Sequence, residues 1–183
     1  MKAPALACVA AALLLAACAT PAPTGKPGQA GPEPPALGLF SPIKVPDGHA
    51  PALQLAARGV QIFRCEPAGA GFEWRFRQPE AELFDAQGQP AGRHGASFSF
   101  EHRDGSRLLG TVVAHQAAAA ADTLPWLLLT ARSFGQGALA GVSYVQRVNT
   151  RGGMPPAGCS AGQANRLLRV DFSADFVFYR PRG

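Results

Sequence analysis

His94, Glu101, Trp126, Arg147 and Asn149 are the side chains whose types and spacing could form a binding site. His94 and Glu101 bracket a segment that reads as a strand over Ser97 to His102, with Ser97, Ser99 and Glu101 on one face and Phe98 and Phe100 on the other. Such a segment lines a polar pocket or forms a wet outer face. Arg147 and Asn149 are two apart, so an extended backbone projects both to one side. There they could hold an anionic or amide-bearing ligand, or bond the neighbouring backbone. Convergence of His94, Glu101 and Arg147 in a barrel mouth, as base, partner and anion clamp with Trp126 in the wall, would suit a hydrolase or an isomerase.

Other motifs fail on their surroundings. Gly158-Cys159-Ser160-Ala161-Gly162 matches G-x-S-x-G, but it follows Gly152 to Ala157 rather than a buried strand, and no histidine comes after His115. Gly135 to Gly141 resembles a dinucleotide loop with its last glycine one residue late and a strand following, so it reads as a flexible hairpin connection. The pairs Glu80 with Glu82 and Asp171 with Asp175 each share a strand face, as an acid and base would, yet exposed strand carboxylates are common. His49, His94, His102 and His115 show no metal-ligand spacing. The sequence therefore assigns no catalytic residue, no metal site and no cofactor.

The cysteines speak to location. Lys2 and the apolar run Ala5 to Ala17 have the layout of a secretory signal peptide, too short to cross a bilayer as a helix. Leu15-Ala16-Ala17-Cys18 looks like a bacterial lipobox, which would make Cys18 a lipid attachment point; the alternative is an ordinary cleaved signal. Several buried lipid chains, at about 0.8 kcal/mol per methylene, make such an anchor effectively permanent. Ala19, in place of the aspartate that retains lipoproteins at the inner membrane, directs the expectation to a periplasm-facing outer-membrane anchor, with a soluble periplasmic or secreted protein as the alternative. Cys65 and Cys159 remain. In an oxidising periplasm they most simply form a disulfide, with a metal site or free thiols as alternatives.

Residues 1–17 thus read as a signal, residues 18–36, with six prolines from Pro21 to Pro35, as an extended tether, and residues 37–183 as one domain. Removal of the signal takes only Lys2 from the charged residues, lowering the net charge from +5 to +4. This excess is spread along the chain, which argues against a nucleic-acid partner. Strands are expected at Gly59 to Cys65, Phe72 to Arg77, Ala81 to Asp85, Ser97 to His102, Leu108 to His115, Trp126 to Phe134, Val142 to Asn149 and Arg169 to Tyr179. The first two form a hairpin. Only Gln116 to Asp122 favours helix, with a loop as the alternative. About eight strands without long helices imply an all-β antiparallel sandwich or closed barrel.

Gly59 to Cys65, Ala81 to Asp85, Asp104-Gly105-Ser106, Pro125 to Leu129, and Val145 to Thr150 followed by Gly152-Gly153 and Cys159 together resemble an exported family known as domain of unknown function 3455. The likeness runs from about Val45 to Tyr179. It implies a secreted domain of bacteria and fungi with a cysteine at each of these two positions and no established reaction. Some fungal relatives carry a malate dehydrogenase label, which the absence of a nucleotide loop here does not support. Where the family commonly has a tyrosine after the histidine matching His94 and a tryptophan before the glutamate matching Glu101, this chain has Gly95 and Phe100. A ligand pocket in that stretch would therefore be altered.

The leading expectation is a non-catalytic envelope domain. Its partners would be the membrane, through lipidated Cys18, and a small molecule or envelope component. A periplasmic enzyme acting through His94, Glu101 and Arg147 is the first alternative, and a structural envelope protein with an exposed apolar patch the second. The sequence sets no oligomeric state.

Overall fold

A computed structural model describes Glu33 and residues 35–183; Cys18 and nearly all of the segments read above as signal and tether lie outside the described residues. Eight strands follow one another around a closed antiparallel barrel: β1 (His49–Ala68), β2 (Gly71–Phe84), β3 (Pro90–Gly95), β4 (Ser99–His102), β5 (Arg107–Gln116), β6 (Trp126–Phe134), β7 (Tyr144–Gly152) and β8 (Leu167–Pro181). Each pairs with its neighbour in sequence, and β8 pairs with β1 from Pro181 against His49 to Leu167 against Arg64, which closes the ring. This pairing decides for the barrel over the sandwich.

Period-two alternation fills the interior. Leu55 and Ala57 of β1, Leu127 and Leu129 of β6, and Phe172, Ala174, Phe176 and Phe178 of β8 pack into one buried cluster with Leu83, Phe100, Leu108 and Val145. The outward positions carry charge. Arg58, Glu82, Arg93, Glu101 and Arg107 stand opposite one another in register across β1 to β5, an exposed belt of alternating sign. An apolar interior inside a charged wall is the reverse of a transmembrane barrel. A second apolar cluster lies outside the wall, where Ile43, with Leu37 and Val45 beside it, covers Leu128, Val148, Val177 and Tyr179. There Gln146 donates to the Ile43 carbonyl and accepts from the Tyr179 hydroxyl, both at 2.6 Å.

The expected hairpin is present, closed by a turn at Gly69-Ala70, and the expected strands at Gly59 and Ala81 are parts of the longer β1 and β2. Three expectations need correction. Residues 117–122 form a loop, not a helix. Pro90–Gly95 is a strand that its proline and two glycines conceal. Ala96–Phe98 is a single 3-10 turn rather than strand, because Ser97 (φ 55°) and Phe98 (φ 49°) lie in the left-handed region and end the alternation.

The short β3 and β4 shape the molecule. At one end, called here the latched end, they complete the wall and the loops are tied down. Asp104 accepts hydrogen bonds from Ser106 N (2.9 Å), Ser106 Oγ (2.6 Å) and Ala138 N (2.6 Å), while Arg180 donates to the Ala138 carbonyl at 2.6 Å. The Gly135 to Gly141 connection is thus a hairpin link, as expected, but clamped rather than flexible. Toward the other end β2 pairs with β3 only from Ala81 onward, and β5 pairs with β4 only as far as Leu109. The facing edges, Gly71–Glu80 and Gly110–Gln116, part, and the Ala96–Phe98 turn packs between them. Two glycines permit the close strand approaches beside this split: a Cβ on Gly59 would run into the Glu80 carbonyl, and one on Gly92 into that of Glu101. Beyond the split, the Cys65–Cys159 disulfide ties β1 to the β7–β8 connection.

Candidate functional site

β3 ends at Gly95, beside the split in the wall. A cleft of about 610 Å³ opens there over Gly59, Ala81 and Gly95, rimmed by Arg58, Glu80, Glu82, Arg93, Glu101 and Arg169, with His94 at its floor. The rim charges are of both signs and partly spent on one another: Arg169 donates to Glu80 at 2.7 Å, which lowers the Glu80 pKa, and Arg58 lies 5.3 Å from the Phe84 ring centroid.

His94 is 2% exposed. Its ring stacks on Phe100 (4.4 Å between centroids) and packs against Phe176 (4.9 Å) and Phe98 (5.9 Å). Nδ1 lies 2.9 Å from the Ser99 carbonyl oxygen, which can only accept, so Nδ1 carries the proton and Nε2 is left as an acceptor. Nε2 is buried and has no partner among the described residues. Burial foremost, and the charge of Arg147 besides, push the His94 pKa down to about 4 against the pull of the Ser99 bond, so the ring is neutral at pH 7. A buried unsatisfied acceptor costs about 1–3 kcal/mol, and an orphan of that kind calls for an explanation. The Gln61 amide nitrogen, buried on the next inward position of β1 after Gly59, is likewise without a partner.

The five expected site residues do not converge. Glu101 shares the cleft with His94 but stands outside the wall, 3.9 Å from Arg93, whereas Phe100 takes the inward position beside it. Arg147 is inside, 6% exposed, its Nε and Nη2 donating to the Pro125 carbonyl at 3.3 and 2.9 Å. Asn149 is not on Arg147's side: φ of 52° and a bulge between Val148 and Arg151 turn it outward, where it donates to Asp175 at 2.8 Å. Trp126 packs on the outer cluster around Ile43 and Leu128 and meets Asn149 in a separate hollow of about 430 Å³ beside residues 116–120. An acid–base set of His94, Glu101 and Arg147 walled by Trp126 is therefore not assembled. The sequence also hid the 3-10 turn at Ala96–Phe98, because S-F-S-F alternates as a strand would, and the buried Gln61, because one glutamine in a strand carries no signal.

Other motifs have structural roles. Ser160 caps the 3-10 turn Ala161–Gln163 through a reciprocal bond with Gln163, next to the disulfide. Asp175 of the Asp171–Asp175 pair accepts from Asn149, and Glu80 of the other pair is taken by Arg169. Among the described residues no group of three metal-ligating side chains comes together, and no helix is long and apolar enough to cross a membrane.

A family model described as protein of unknown function (DUF3455) matches residues 46–180. No curated protein and no solved structure matches the chain. The chain belongs to the DUF3455 family, and the match covers the barrel from before β1 to the end of β8.

Proposed function

We propose that this member of the DUF3455 family is an envelope lipoprotein whose barrel binds a small molecule at the His94 cleft and performs no chemistry of its own. One observation carries the reading: His94 lines the cleft, and its Nε2, a fixed, neutral acceptor, is buried with no partner among the described residues. A ligand N–H or O–H satisfies it, which recovers the cost of leaving it unpaired. Catalysis is less well supported, since a histidine with a pKa of about 4 is a weak base at neutral pH and Glu101, its expected partner, stands outside the wall. The lipobox at Leu15 to Cys18 and the proline-rich tether support a domain held on the order of 50 Å from the outer membrane, facing the periplasm.

Native mass spectrometry of the full chain extracted from membranes tests the reading. The wild-type protein is expected to carry an added mass beyond its lipid, and His94→Phe, which fills the site with an apolar ring, is expected to lose it. A bare mass for both proteins under gentle extraction contradicts the reading.

A further inference from the structure

The split in the wall is plugged by a segment whose backbone is held against its preference. Ser97 and Phe98 are consecutive non-glycine residues in the left-handed region, a conformation that persists only where the surroundings impose it and that gathers at functional sites. The Phe98 side chain is half-buried against the interior cluster, with its ring 5.9 Å from that of His94. Across the split, Gly110 leaves the space that Phe98 uses: a Cβ there would lie 3.3 Å from the Phe98 Cβ and 2.8 Å from the Leu129 side chain.

The barrel interior also holds an uncompensated charge. Arg147 is buried, and its Nε and Nη2 donate to the one carbonyl of Pro125. No carboxylate of the described residues lies within ion-pair distance of it. Buried cations are ordinarily paired. Arg147 stands opposite Phe176 across the β7–β8 ladder, and the Phe176 ring packs against that of His94, so both residues neighbour the same aromatic residue, and the Arg147 charge is felt at His94.

We infer that Phe98 is a gate, and that the ligand replacing its ring inside the barrel is a small carboxylate with an apolar body and a hydroxyl or amine donor. Arg147 takes the carboxylate, His94 Nε2 accepts from the donor, and Phe100 and Phe176 pack on the body. A carboxylate supplies the counter-charge that the interior lacks, and release of the turn relieves the backbone at Ser97 and Phe98. This inference rests on the binding reading above and adds the ligand class and the way in.

The probe is 2-hydroxy-3-phenylpropionate, titrated by calorimetry into the full chain and compared with its neutral amide. Phe98→Ala, with circular dichroism confirming the barrel, is expected to bind the acid at least about tenfold more tightly than the wild type does. The amide is expected to bind the variant about tenfold more weakly than the acid, a comparison that needs no change at Arg147. Arg147→Met in the Phe98→Ala background is expected to remove the difference between acid and amide. No gain on opening Phe98 overturns the gate, and equal binding of acid and amide overturns the carboxylate class. An added mass lost in His94→Phe without any gain in Phe98→Ala would leave the binding reading standing and this one refuted; tight binding by Phe98→Ala with no added mass on either native protein would do the opposite.

Discussion

The two ends of the barrel solve the same problem, how to finish a wall of unequal strands, in opposite ways. At the latched end every strand is paired and the Asp104 carboxylate takes hydrogen bonds from Ser106 and Ala138, which hold its pKa well below the usual carboxylate range. At the open end β3 and β4 stop, two strand edges part, and the buried Nε2 atoms of His94 and Gln61 have no partners among the described residues. Buried polar atoms without partners among the described residues occur at both ends, Ser143 Oγ and Arg180 Nε at the latched one, so the ends differ in their ties: cross-loop hydrogen bonds close the first, whereas at the second the strand edges part beside His94. The two parted edges differ in turn. That of β2 carries Glu73, Arg75, Arg77, Pro79 and Glu80, which discourage strand addition; that of β5, Gly110 to Gln116, carries no Asp, Glu, Lys or Arg and exposes Val112 and Val113.

The largest test of this contrast removes the tie at the open end. Replacing both cysteines, Cys65→Ser with Cys159→Ser, opens a loop spanning a sequence separation of 94 residues and is expected to cost about 4–5 kcal/mol by the chain-entropy account, measured by urea unfolding. A loss below about 1 kcal/mol would mean that the open end holds itself together by packing.

Next in size is the pH dependence contributed by His94. Its folded pKa of about 4 lies below the 6.5 of an unperturbed imidazole, so the unfolded chain binds the extra proton first as pH falls. Titration of His94 therefore costs no stability above about pH 6.5, and destabilises the fold progressively as pH drops toward 4, by about 3 kcal/mol in all. His94→Phe is expected to flatten that part of the stability profile; an unchanged profile would place the titration elsewhere.

The smallest effect concerns the bare edge. Val113→Lys is expected to leave stability within about 0.5 kcal/mol of wild type while reducing self-association at high concentration, seen by light scattering. Equal scattering by both proteins would mean that the β5 edge is no more adhesive than the charged β2 edge.

The all-β class, the first hairpin and the disulfide were legible because each rests on local signals: alternation such as Phe72 to Arg77, turn residues, and a pair of cysteines left in the barrel domain. Barrel closure was not, since the β1–β8 ladder joins residues more than a hundred positions apart. The site was half legible. His94 and Arg147 stood out by type and both lie inside, but their supposed companions were assigned by alternation, and alternation fails wherever the backbone turns left-handed. Asn149 and the Ser97–Phe98 pair sit at such points, and the tertiary setting, not the residue types, puts them there. The belt from Arg58 to Arg107 was invisible for a related reason: it exists only once strand register is known.

The central claim is that His94 presents a neutral, unpartnered Nε2 at neutral pH. Long-range proton–nitrogen correlation spectra of the folded chain, recorded across pH, measure this directly. The account predicts a protonated Nδ1, a bare Nε2 throughout the range above pH 6, and a midpoint near 4. A proton on Nε2, or a ring charged at pH 7, would contradict it.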